Sequence, residues 1–260
     1  MFKSEIKKIV QERLQRDIVL IVYRGSIAHN MYIPSEDPDS IDDVDAIAVY
    51  MSDPEAYLSL AHGFPKGVQI TEGKYDIVAY EFRKFVYLLT KANPNVLSAL
   101  WVKPEHQIML SPLIGKKLID MRKSFITQEI FNTFGGYARS QLKKMTHFVF
   151  QGYMGEKRKC LVEKHGYDTK NAAHLIRLLK MATESLQNGE MNVYRHDAKQ
   201  LLKVKTGALT LEEVKNSALA LEADLKEAAR VSELPKKADL KMVNKFVFNA
   251  LLDYINKGIY

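Results

Sequence analysis

The spacing of apolar and polar residues changes period several times in the first half of the chain, and each change marks an element. Ile6, Ile9, Val10 and Leu14 recur at helical spacing between charged residues, which predicts an amphipathic helix over residues 3 to 16. Ile18-Val19-Leu20-Ile21-Val22 is an unbroken, β-branched-rich run, too short for a buried helix, and reads as a buried strand that ends at a Gly25-Ser26 turn. Pro34, Pro38 and the acids around them predict a polar loop over 32–41. Ile41 to Met51 is the next strand, in which period two puts Asp43 and Asp45 on one face and Asp42 and Val44 on the other. Asp53-Pro54-Glu55 opens a short helix. Val68 to Thr71 and Lys74 to Tyr80 read as strands joined by a turn at Glu72-Gly73. Glu81 to Ala92 is a helix with Phe82, Phe85, Val86, Leu88 and Leu89 inward, Asn95 caps a short helix reaching Trp101, and His106 to Leu110 is a further strand. This order predicts a small mixed sheet with helices on one face.

From Thr127 the strand period is gone. Residues 131–150, 171–188, 211–231 and 241–256 carry helical patterning, separated by segments with Gly, Pro or Asn. The expected fold class is therefore α/β (α+β): a mixed twisted sheet at the N-terminus and an all-helical C-terminal domain. At 260 residues the chain exceeds the usual single-domain length of about 100–150, so two domains are expected, 1–125 and 126–260.

Charge sharpens that division. The net charge of +7 is not spread evenly: residues 1–125 carry 16 Lys/Arg against 16 Asp/Glu, whereas residues 126–260 carry 22 against 15. A balanced half with an acidic cluster beside a basic half suits a catalytic domain next to one that attracts a polyanion, either a triphosphate or a nucleic acid. The single cysteine, Cys160, excludes an internal disulfide. No apolar run approaches the roughly 20 residues of a membrane span, and the first residues lack a secretory-signal layout. A cytoplasmic protein with no membrane partner is expected.

The candidate chemistry lies in residues 18–50. A Gly-Ser just past a strand lets backbone approach a ligand closely, and its N–H groups with the Ser26 hydroxyl form a possible phosphate cradle, in a short helical turn whose start faces the phosphates. Two carboxylates on one strand face repel unless a cation lies between them, and hard oxygen ligands near phosphates favour Mg²⁺. Each feature alone is commonplace: Gly-Ser is an ordinary turn, and acidic pairs often lie on solvated strands. Taken in order on adjacent predicted strands, and followed by Asp76, they are fairly specific.

At these residues the chain resembles the DNA polymerase beta-like nucleotidyltransferase superfamily, whose signature of strand, Gly-Ser and Asp-hydrophobic-Asp is matched by Gly25-Ser26 and Asp43-Val44-Asp45-Ala46. Arg83-Lys84-Phe85, Ala92-Asn93-Pro94-Asn95-Val96-Leu97, His174-Leu175-Ile176-Arg177-Leu178-Leu179 and Ser232-Glu233-Leu234-Pro235 look like one branch of it, the predicted nucleotidyltransferases of phage and bacterial genomes associated with RNA repair. Two departures stand out. Sixteen residues separate Ser26 from Asp43, longer than the common spacer, and Asn30 replaces the glycine usual in the Gly-Ser-x-x-x-Gly form.

The resemblance implies a third carboxylate on a later strand, here Asp76. It also implies two Mg²⁺ ions, with Mn²⁺ as a substitute, held by Asp43, Asp45 and Asp76, and transfer of a nucleoside monophosphate from a nucleoside triphosphate such as ATP to an acceptor hydroxyl. The acceptor expected first is a nucleic-acid end, RNA favoured. Nucleotidyl modification of a protein or small molecule, or non-catalytic binding of nucleotide or RNA, stays open. Gly25 and Ser26 are the expected phosphate ligands. His174 and Arg177, at i and i+3 with Met181 at i+7, form a polar row beside an apolar stripe and are candidates for nucleotide contact, against a structural role for His174. His29 is weighed between a phosphate contact and a local hydrogen bond. Arg24 is given no chemistry beyond pairing with a neighbouring carboxylate. Arg83-Lys84 is placed near the site, Arg139 and Lys143 on a solvated face, and Arg195, His196, Lys203 and Lys205 in a basic patch.

Overall fold

Six consecutive apolar residues, Ile18 to Tyr23, form a strand buried along its whole length, and the rest of the sheet is built around it. The computed structural model describes the chain except residues 1, 35–36, 38–39, 41–42, 61–64, 147–155 and 258–260. These residues fall into two compact units: Met1–Ala28 with Asp43–Phe125 and Lys237–Tyr260, and His29–Asp42 with Ile126–Lys236.

The first unit holds a five-stranded mixed sheet of β1 (Ile18–Tyr23), β2 (Val44–Tyr50), β3 (Val68–Glu72), β4 (Tyr75–Glu81) and β5 (Gln107–Leu110) in the order β3-β4-β2-β1-β5. β1 runs antiparallel to β2 and to β5, and β3 to β4, while β2 and β4 are parallel. Tyr23 pairs with Ala46, so the end of β1 lies beside the start of β2. Asp45 pairs with Asp76, so the start of β4 joins them at that same end. Gly73, at φ +57°, turns β3 into β4. β1 and β2 are buried on both faces, apart from a half-exposed Asp45. The single helical layer expected from sequence is thus replaced by cover on both sides of the central strands.

The α-helices described in this part of the chain are α1 (Lys3–Leu14), α2 (Gly25–Ala28), α3 (Pro54–Leu58), α4 (Phe82–Thr90), α5 (Pro94–Ser98) and α6 (Ile114–Asp120). α1 buries Ile6, Ile9 and Val10, the stripe read from its spacing. α4 starts one residue later than expected because Glu81, only 1% exposed, acts as its N-cap and accepts from the Arg83 and Lys84 amides at 2.9 and 3.0 Å. The cap of α5 is Asn93, not Asn95: its side chain accepts from the Asn95 and Val96 amides. Pro94 then occupies the first turn, where its missing N–H costs nothing. Asp53 stands at the N-cap of α3 without a side-chain capping bond and pairs instead with Arg16 at 2.8 Å.

The second unit is helical: α7 (Glu129–Thr146), α8 (Glu156–His165), α9 (Thr169–Asn188), α10 (Ala198–Lys205) and α11 (Leu211–Val231). α9 is its centre, packed by α7, α10 and α11 through Ala172, Leu175, Leu178, Leu179 and Ala182. The stretch expected to continue α7 through 147–150 lies outside the described residues. α8 has no apolar stripe to announce it. It is fixed by Arg158, whose Nη2 lies 2.6 Å from the buried Asp168 carboxylate that also caps α9. The chain returns to the first unit as α12 (Leu240–Lys257), where Phe246 meets Phe82 of α4 edge-on at 5.9 Å. No helix among the described residues is long and apolar enough to cross a membrane.

Candidate active site

The antiparallel β1–β2 pair and the parallel β2–β4 pair bring three pieces of sequence to one edge: the Gly25-Ser26 turn, Asp45 and Asp76. Residues paired across strands point to the same face, so the two carboxylates stand side by side. Gly25 adopts φ +59°, and a Cβ placed there would sit 2.9 Å from the Asp45 carboxyl carbon and collide with one of its oxygens. Only glycine permits both that backbone angle and that approach. The hydroxyl of Ser26, the next residue, is buried without a hydrogen-bond partner among the described residues.

A cation already faces those carboxylates. The Arg24 backbone N–H donates to the Asp45 carbonyl at 3.0 Å. Its guanidinium Nη2 lies 3.1 Å from Asp76 Oδ2 and 3.4 Å from Asp45 Oδ1. The other Asp76 oxygen accepts from Gln69 Nε2 on β3. The alternation of β3 is visible in the sequence, but its diagonal position against Asp76 depends on the β3–β4 register, so Gln69 was not singled out. Arg24 carried a clearer signal, being the residue before the turn and within reach of whatever carboxylate follows on the neighbouring strand.

Asp43 lies exposed one residue before β2, and Asp42 is outside the described residues. Among the described residues no group of three His, Cys, Asp or Glu side chains is gathered as a metal site; the structure brings together Asp45 and Asp76. Asn30 does what a glycine would do, taking φ +60°; Asn tolerates this left-handed backbone better than most residues. His29 is buried, with Nδ1 2.8 Å from the Val193 carbonyl, a partner 164 residues away in sequence and not the local one expected. Arg83-Lys84 follows the far end of β4, about 20 Å along the strand from Asp76, so its expected place near the site is corrected. The Arg83 guanidinium instead lies 4.7 Å over the Tyr57 ring.

In the second unit the expected basic patch is not one. Arg195, 5% exposed, donates to Glu184 at 2.7 and 2.8 Å and to Asp197 at 2.8 Å, and buried Lys205 donates to the Met31 carbonyl at 3.0 Å. These charges are consumed in holding loops. Arg139 and Lys143 are exposed, and Met181 belongs to the core.

His174 and Arg177 are half-buried on α9. Burial, reinforced by Lys144, Lys170 and Arg158, pushes the His174 imidazole down to about 4, and the Tyr137 ring meets it edge-on at 5.3 Å. It is therefore neutral in the folded protein at pH 7. Because its folded value lies below the unfolded one near 6.5, the unfolded chain takes up the proton first. Stability is complete above about 6.5 and falls as pH drops toward 4, by on the order of 1–3 kcal/mol. His174→Gln should flatten this slope in urea unfolding measured at pH 7.5, 6 and 4.5; parallel slopes for both proteins would refute the assignment. The Arg177 guanidinium is pushed down to about 9 by burial and then by Arg195, and its Nε is buried without a partner among the described residues.

No curated protein matches the chain significantly. Among solved structures, the crystal structure of a nucleotidyltransferase-like protein from Exiguobacterium sibiricum 255-15 aligns over 88% of this chain and 75% of its own, at 11% identity and a TM-score of 0.33, too low an overlap to carry any argument. A family profile, RlaP, matches residues 2–249. On that near-complete match the chain belongs to the RNA repair pathway DNA polymerase beta family, a family of nucleotidyltransferases.

Proposed function

We propose that the protein is a Mg²⁺-dependent nucleotidyltransferase that moves a nucleoside monophosphate from a nucleoside triphosphate to a hydroxyl at an RNA end, with release of pyrophosphate. The observation that supports it most is the paired Asp45 and Asp76 carboxylates at the Gly25-Ser26 turn, where the Ser26 hydroxyl is buried without a partner among the described residues. Hard oxygen ligands and an unmet hydroxyl fit a hard divalent cation and a phosphate oxygen. Nucleotidyltransferases of this fold generally use divalent metals. Asp43, Asp45 and Asp76 would hold Mg²⁺, which supplies neutralisation of the triphosphate and a lower pKa for the acceptor hydroxyl.

The chain's own groups do the positioning. Gly25 leaves its backbone open to the β and γ phosphates, and the Ser26 hydroxyl donates to one of their oxygens, which orients the α phosphorus toward the acceptor. The role we assign to Arg177 and His174 is contact with the anionic substrate: Arg177 as a cation without an ion pair among the described residues, His174 as a neutral hydrogen-bonding ring. In this reading residues 1–125 supply the catalysis and the basic residues 126–260 supply substrate affinity.

The test is incubation of the protein with each α-labelled nucleoside triphosphate, Mg²⁺ and either RNA or total protein. Label is expected in RNA and absent with Asp45→Asn. Label in protein alone overturns the RNA acceptor, and absence of label from every acceptor overturns the enzymatic reading.

A further inference from the structure

Arg24 occupies the position that a cation between Asp45 and Asp76 must occupy, and it does so through a poor clamp. A guanidinium binds a carboxylate best by two parallel N–H bonds, yet here one nitrogen, Nη2, serves two carboxylates at 3.1 and 3.4 Å while Nε is buried with no partner among the described residues. All three side chains are about a quarter exposed, at 26%, 23% and 29% for Arg24, Asp45 and Asp76. Such a pairing is screened by solvent and held loosely. It nonetheless relieves the repulsion of two carboxylates set directly across neighbouring strands. The sequence places Arg24 there by construction, since its own N–H is fixed to the Asp45 carbonyl and its neighbour Gly25 lets the turn close on Asp45.

We propose that Arg24 is an internal counter-ion that competes with the divalent cation for Asp45 and Asp76, so that metal entry is an exchange in which the guanidinium leaves the carboxylates as the ion arrives. The inference rests on the reading of Asp45 and Asp76 as metal ligands. Competition of this kind lowers the apparent metal affinity by the fraction of time the pair is free. It also offsets the repulsion between the two carboxylates in the metal-free protein.

Mn²⁺ binding, followed by electron paramagnetic resonance of the free ion without nucleotide, tests this in the full-length protein, alongside thermal unfolding with and without Mn²⁺. Arg24→Gln is expected to melt lower than wild type in chelator and to bind Mn²⁺ about tenfold more tightly, as for a pair that is free about a tenth of the time. It should also gain more in melting temperature from the ion. Arg24→Lys, which keeps the charge on a single nitrogen, is expected in between and carries the comparison should the glutamine variant not fold. Wild type that binds Mn²⁺ while both variants bind it equally well or more weakly overturns the counter-ion role and leaves the metal site standing. If neither wild type nor variants bind Mn²⁺, the metal reading falls and this inference falls with it.

Discussion

Asp45→Asn, and separately Asp76→Asn, should give folded proteins that transfer nucleotide at least about 10³-fold more slowly than wild type. The substitution is nearly isosteric, so the turn at Gly25 and the β2–β4 register need not move. What changes is charge. A carboxylate that holds a catalytic divalent ion supports several kcal/mol of transition-state stabilisation, and at 1.36 kcal/mol per tenfold a loss of about 4 kcal/mol is three orders of magnitude. Folding stability responds far less. Each carboxylate is about a quarter exposed and paired with Arg24 at 3.1–3.4 Å, so losing one exchanges a weak ion pair for relief of carboxylate repulsion, within about 1 kcal/mol of wild type. Single-turnover rates alongside urea unfolding check both halves. Near-normal Mg²⁺-dependent turnover in either variant would remove the assignment. Asp43→Asn carries the same rate expectation, and comparing it with Asp45→Asn decides whether a residue outside β2 belongs to the ligand set.

The two central strands were legible because their signals are local. An unbroken β-branched run can be little but a buried strand, and the Gly-Ser turn and period-two acids follow within one stretch of sequence. Asp76 required more: alternation fixes which face a side chain takes, whereas its neighbour across the sheet depends on strand order and register, both non-local. The same gap hid Gln69, whose partner is two positions diagonal on β4. It also misplaced Arg83-Lys84, since nothing local says which end of β4 faces the turn. Charge was the least faithful guide. Arg195 and Lys205 read as surface cations, yet their partners are a carboxylate eleven residues back and a carbonyl 174 residues away. α8 was missed for a related reason, because Arg158 and Asp168 secure it where an apolar stripe would normally do so.

Arg177→Leu should stabilise the protein and weaken its hold on nucleoside triphosphate. Among the described residues the guanidinium has no ion pair, its Nε is buried without an acceptor, and burial together with Arg195 lowers its pKa to about 9. Both folded and unfolded chains are protonated there at pH 7, so the depressed folded value is a cost of folding that persists below 9 and is relieved only as pH rises toward 12.5. Leucine keeps apolar volume along the stem and removes the uncompensated charge. The gain expected is about 1–2 kcal/mol in urea unfolding at pH 7, the size seen when ill-satisfied buried charge gives way to apolar packing. A group kept at such a cost needs an anion to justify it, and affinity for a triphosphate should fall about tenfold or more, the worth of one charge-assisted hydrogen bond. Stability and affinity must move in opposite directions. A leucine variant that is less stable and binds triphosphate as before would make Arg177 a structural residue of α9 and leave substrate binding to other groups.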